Sequence, residues 1–203
     1  MLHLCRRRCV FFVIIFFLQN INARQAATFA REHGRPLIKW KHTVKKGSIL
    51  SAGCSDERLF ASFVVGAPAY LNKNISREAT ELGIHNGTKC VLRAFGYSDA
   101  ARQQVANDAV LQSGVGDVVW VEAPDYVVVE LLESSERALG SASAPRSPDT
   151  GNLLFTLRPG ESEALNVLVT VDSSIANAPP STVTRLSSVT VQCFDFDLAW
   201  ALT

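Results

Sequence analysis

Two carboxylates stand one residue apart near the end of the chain, in the stretch VQCFDFDLAW. Asp195 and Asp197 alternate there with Phe194, Phe196 and Leu198. Side chains of a strand point to opposite faces in turn, so both aspartates would share one face. Such a pair has the chemistry to bind a divalent cation or to divide acid and base roles. The same alternation is also the ordinary pattern of a half-buried strand with one wet side. His33, near a helix C-terminus, and His85, beside a turn, have no neighbours in sequence that suggest catalysis. The five cysteines (Cys5, Cys9, Cys54, Cys90 and Cys193) form no Cys-x-x-Cys pair and no zinc spacing. Their scatter favours a reducing compartment. No Gly-Lys dipeptide occurs, which rules out a phosphate-cradling loop of the Gly-x-x-x-x-Gly-Lys-Ser/Thr type. His-Glu-x-x-His and Gly-x-Ser-x-Gly are missing as well. The sequence therefore holds no recognisable means of hydrolysing a nucleotide and no expected cofactor or metal site.

The elements that must carry any site belong to an ordinary globular composition. The 203 residues are 47% hydrophobic and 19% charged, with a net charge of +1, so no global field draws the chain to nucleic acid or membrane. Binding of that kind has to come from local patches. KWKHTVKKG supplies one, with Lys39, Lys41, Lys45 and Lys46 close together. It could hold a phosphate backbone, although a solvated loop or strand edge is the commoner meaning.

Residues 1–19 read in two ways. Arg6, Arg7 and Arg8 precede an unbroken apolar run from Val10 to Leu18, with Ala23 as a cleavage point, which is the layout of a signal peptide. The run is too short to span a bilayer comfortably. The other reading is a buried segment or a gene-model artefact.

From there the sequence predicts a helix over Ala23–His33, capped by Asn22 and ended at Gly34, with Pro36 blocking its continuation. A strand over Leu37–Trp40 follows. Further strands are expected over Leu59–Val65, Ala69–Leu71, Lys89–Phe95, Leu153–Leu157, Ala164–Val171 and Val183–Leu198, with two more around the break at Pro124-Asp125. Helical turns are expected over Ser76–Leu82, and a helix capped by Ser98 running to about Gln112. Residues 139–151 read as an exposed loop. Asn86-Gly87 between apolar runs is a hairpin-turn signal. The same Asn86-Gly87-Thr88, like Asn74-Ile75-Ser76, is an N-glycosylation acceptor if the chain enters the secretory pathway.

FVVGAPAYLNKNISREATELGIHNGTKCVLRAF resembles the accessory-domain signature of Pif-type and RecD-like DNA helicases of superfamily one. The matching positions are Gly66, Pro68, Asn74, Gly83, Asn86, Gly87 and Thr88. NINARQAATFAREHGRPLIKW is similar to the family's segment just upstream, where the chain leaves the second RecA-like domain. FDLAWALT is similar to the strand by which it returns. The family's P-loop, its acidic magnesium-binding motif and its nucleotide-sensing arginine have no counterpart here.

The resemblance implies an α+β, mostly β chain: an SH3-like small β-barrel flanked by incomplete pieces of a RecA-like α/β domain. The segments would be 20–58 and 194–203 for the RecA-like pieces and 59–193 for the accessory region. It also implies a slice of an ATP-dependent DNA helicase that contacts single-stranded or forked DNA without ATPase or unwinding activity of its own. ATP and magnesium would belong to the intact parent. By position, Lys73, Lys89 and Arg93 are the expected DNA-backbone contacts. Family roles in DNA repair, recombination and telomere maintenance would place it in the nucleus or an organelle. The apolar positions of 24–50 and 194–203, deprived of most of a RecA sheet, should then be partly exposed. The alternative is a secreted or membrane-tethered β-rich binding domain glycosylated at Asn74 and Asn86.

Overall fold

The helix expected after the leader is already running at residue 21, so Asn22 lies inside it and does not cap it. The computed structural model describes residues 21–46, 57–81, 83–132, 145–173 and 181–198. The leader reading for 1–19 falls outside them. Helix α1, residues 21–32, ends as its sequence demands. Gly34 takes φ +65°, its N–H donates to Arg31 O (3.2 Å), and Arg35 N–H reaches Ala30 O (2.8 Å). This paired closure satisfies carbonyls left over at the helix end, and Pro36 then turns the chain into a strand.

Three sheets follow. The first orders β3 (Phe60–Phe63), β1 (Leu37–Lys41) and β6 (Val118–Trp120), with β1 antiparallel to β3 and parallel to β6. The second orders β2 (Thr43–Lys46), β10 (Ser181–Gln192) and β9 (Ser162–Ser173). Strands β9 and β10 form a long antiparallel ribbon. The third is antiparallel and orders β11 (Phe196–Leu198), β4 (Pro68–Leu71), β5 (Lys89–Gly96), β7 (Tyr126–Leu131) and β8 (Leu154–Leu157). A short 3-10 turn, Glu57–Leu59, leads into β3.

Strand outweighs helix, as expected of a mostly β mixed fold. The third sheet stays open, with β11 and β8 at its edges, and no closed barrel forms among the described residues. The expected single strand over 183–198 is two. Gly160 N–H donates to Cys193 O (2.8 Å), and the Gln192 side-chain amide donates to Gly160 O (3.0 Å), so the chain leaves β10 there before entering β11.

Helix α2 (Arg77–Glu81) and helix α3 (Ala100–Leu111) complete the elements. Asp99, not Ser98, caps α3: its carboxylate accepts from Arg102 N–H (2.9 Å) while Ser98 N–H is taken by Asp125. Residues 139–144 of the expected loop lie outside the described residues. Beyond them the chain is tied down, with Ser147 buried and its N–H donating to Asn152 O (2.8 Å).

One apolar core joins α1, the first sheet and the third sheet. Trp40 is fully buried at its centre, with ring centroids of Phe63, Phe95 and Phe194 6.2, 6.4 and 6.0 Å away. A smaller cluster of Leu59, Val189 and Val191 lies under the second sheet. The expected partial exposure is found among the described residues at Ala27, Phe29 and Val44 but not on β1 or β11. Leu37, Ile38, Trp40, Phe194, Phe196 and Leu198 are all buried, because β1 has a hydrogen-bonded partner on both sides and β11 pairs with β4. The exposed large apolar side chains are instead Val105, Leu111, Val115, Val118, Trp120 and Leu132.

Candidate nucleic-acid interface

Of the seven signature residues, Gly66 and Pro68 lie where the chain enters β4, and the other five lie on the excursion between β4 and β5. Chain direction reverses after Val64, where Ala67 N–H donates to Val64 O (3.0 Å) and Gly66, at φ +88°, donates to Leu92 O (2.7 Å). Pro68 then starts β4 opposite Val91 of β5. The excursion from 72 to 88 carries α2 and closes on itself through Asn74, whose Oδ1 accepts from Asn86 N–H (2.9 Å). Gly83 takes φ +83° at the end of α2, and Gly87 takes φ +87°, a region that costs other residues strain. Thr88 N–H donates to His85 O (3.0 Å), and its buried hydroxyl accepts from His85 N–H (3.0 Å). Asn-Gly thus seals a long excursion and does not join two strands in a tight hairpin. Asn74 and Asn86 are both exposed.

The three cations expected at the DNA backbone are placed unequally. Lys73 binds Glu163 and Asp195, the latter at 3.4 Å, and these carboxylates hold its ammonium above the usual lysine range. Arg93 of β5 pairs with Glu130 of β7. Glu130 is buried, and also accepts from Thr150 Oγ1 (2.6 Å) and Asn152 Nδ2 (2.7 Å). Burial alone would raise its pKa, but these donors outweigh it and keep the carboxyl below its ordinary range. A phosphate would have to compete with a carboxylate for either Lys73 or Arg93. Lys89 is exposed at the start of β5.

Asp195 and Asp197 do face one neighbourhood, as the alternation implied, but their partners are the residues after β4. Asn72 Nδ2 donates to Asp197 Oδ2 (2.9 Å), and Lys73 pairs with Asp195. Among the described residues no group of three or more His, Cys, Asp or Glu side chains is arranged to hold a metal ion. Cys90 and Cys193 are free thiols, each pushed up to about 12 by burial, so neither is poised as a nucleophile. No described helix is long and apolar enough to cross a membrane.

A second surface joins two distant sequence signals. In the first sheet Lys39 aligns with Ser62 on one side and Trp120 on the other, and Lys41 aligns with Phe60. These positions share the face opposite Ile38, Trp40, Phe63 and Val119, which point into the core. The Lys39 ammonium lies 5.7 Å from the Trp120 ring centroid and 6.0 Å from that of Phe60. The two rings meet edge to face at 5.4 Å. Trp120 nevertheless remains 56% exposed. A half-open indole beside lysines is the composition that single-stranded nucleic-acid sites use, stacking bases on the ring and neutralising the backbone. Lys39 and Lys41 stood out in the sequence, but Trp120 and Phe60 did not, because only strand register brings them alongside.

No protein-family model and no curated protein matches this sequence. Among solved structures, the crystal structure of Pif1 helicase from Candida albicans aligns with 87% of this chain and 32% of that one, at 13% identity and a TM-score of 0.37. The chain thus spans about a third of the length of that structure.

Three outcomes are expected. Gly87→Ala forces a methyl group into the left-handed region and costs about 1–2 kcal/mol, and Asn74→Ala removes one turn-closing bond at about 1 kcal/mol; urea denaturation measures both. His42, after β1, is pushed down to about 4 by burial, with Glu163 opposing. Its unfolded form titrates near 6.5, so the unfolded chain takes up the proton first as pH falls. The contribution of His42 to stability is therefore constant above pH about 6.5 and is lost toward pH 4. Thermal melts across that window should show a shallower decline for His42→Gln.

Proposed function

We propose that this chain is the strand-contacting segment of an ATP-dependent DNA helicase, gripping single-stranded or forked DNA without hydrolysing nucleotide. The observation that carries the reading is that Asn74, Gly83, Asn86, Gly87 and Thr88 lie on one closed excursion between β4 and β5, while Gly66 and Pro68 form the turn that enters β4. Gly66, Gly83 and Gly87 take positive φ there, and Asn74 and Thr88 close the excursion with their side chains, which supports the reading. The face bearing Lys39, Lys41, Phe60 and Trp120 supplies chemistry suited to a single strand. Bases would stack on Trp120, with the lysines beside the backbone. Lys73 and Arg93 would act mainly by holding the scaffold, and Lys89 remains a candidate for phosphate contact. ATP and magnesium would act at motifs this sequence does not contain.

Fluorescence anisotropy with labelled oligothymidylate tests the reading. Binding should weaken steeply with salt and be tighter for single strands than for duplex of equal length. Trp120→Ala should weaken it about tenfold, and Lys41→Glu should weaken it and flatten the salt dependence. Absence of binding at low salt, or wild-type binding by both variants, would overturn the proposal.

A further inference from the structure

A groove with a volume of about 330 Å³ runs between α3 and β6. Its lining is largely apolar, with Val105, Ala106 and Ala109 contributed by α3 and with Trp120 and Val121 contributed by β6 and the residue after it. Val105 is 70% exposed and Trp120 56%, so two large apolar side chains that line it stand open to water. Lys39 and Phe60 approach the same indole, yet neither lines the groove. Trp120 therefore belongs to two neighbourhoods, a cationic one on the sheet face and an apolar one toward α3.

The polar groups around the groove already have partners. Arg102 Nε donates to Glu122 Oε2 (2.9 Å), and its two terminal nitrogens donate to Asp125 Oδ1 (3.2 Å) and Ala123 O (3.1 Å). The guanidinium lies over the Tyr97 ring, 4.6 Å from its centroid, and Tyr97 Oη donates to Glu122 O (2.6 Å). An occupant thus gains little here from hydrogen bonds and much from flat apolar contact. A ring slipped between the indole and the α3 methyl groups would cover both exposed side chains. The groove shares Trp120 with the face proposed to meet the single strand, so a base of that strand is the ring nearest to it.

We infer that this groove receives one base of the bound strand and favours thymine. The inference rests on the strand-contact reading above. The base leaves its neighbours and stacks on Trp120 from the α3 side, while its hydrogen-bonding edge stays in water. Stacking alone tolerates any base, because each has a π face. The walls add the distinction: Val105 and Ala109 offer apolar contact to the 5-methyl group of thymine, which uracil and cytosine lack. The adjoining phosphates then fall on the sheet face, beside Lys39 and Lys41.

Fluorescence anisotropy of the full chain with labelled oligothymidylate and with oligodeoxyuridylate of the same length tests it, because the two differ only in the 5-methyl group. The thymidylate should bind about fourfold more tightly, the gain expected from burying one methyl group. Ala109→Leu fills the groove from a half-buried position and should close that gap. It should leave the salt dependence as it is, since the lysines are untouched. Val105→Ala, at an exposed position, should narrow the gap and decides the matter if Ala109→Leu does not fold. Equal binding of the two oligonucleotides by the wild-type chain would overturn the inference while strand contact stands; the groove would then suit an apolar side chain of a protein partner. A gap that persists unchanged in both variants counts against it equally. Failure of the wild-type chain to bind either oligonucleotide at low salt would remove the strand-contact reading and this inference together.

Discussion

Burial of Trp40 is the constraint on which the rest of the molecule depends. The indole sits on the middle strand of the first sheet, touches Phe63 on the neighbouring strand, and reaches Phe95 of the third sheet and Phe194 in the link before β11. A side chain of that size with no exposure leaves the two sheets little freedom to slide. It also sets the alternation of β1. With Ile38 and Trp40 inward, Lys39 and Lys41 must face out, and the cross-strand positions Phe60 and Trp120 come out with them. The proposed contact surface is thus the reverse side of the core.

The signature turn fixes the other end of the same framework. Asn74, Gly87 and Thr88 close the excursion between β4 and β5, and that closure leaves Asn72 and Lys73 facing Asp195 and Asp197. The aspartates are therefore tethers for a returning strand before they are anything else. Electrostatics explains why two of the prominent cations are poor candidates for free phosphate contact. Their carboxylate partners are partly or wholly buried and would lose their compensating charge if the cation moved away.

Local chemistry was readable where a residue's own backbone preference decides the outcome. Gly34 followed by Pro36 gave the end of α1, and Gly66 and Gly87 marked turns that need positive φ. Asn22 and Ser98 misled because a capping residue type is not a cap unless the chain breaks there. Helix α1 is already under way at residue 21, and Asp99 sits one position nearer α3 with the better-placed carboxylate. The break at Cys193 was invisible because Gly160, far off in sequence, supplies the hydrogen bond that defines it. The aromatic face was hidden for the same reason. It joins residues from strands distant in the chain, and nothing in local periodicity encodes a parallel pairing of β1 with β6.

The most direct test of the account is two-dimensional NMR of the tryptophan indole N–H groups during titration with unlabelled oligothymidylate, with resonances assigned by Trp→Phe substitution. The Trp120 indole resonance should shift saturably while that of buried Trp40 stays in place. An unmoved Trp120 resonance at saturating single strand would contradict it.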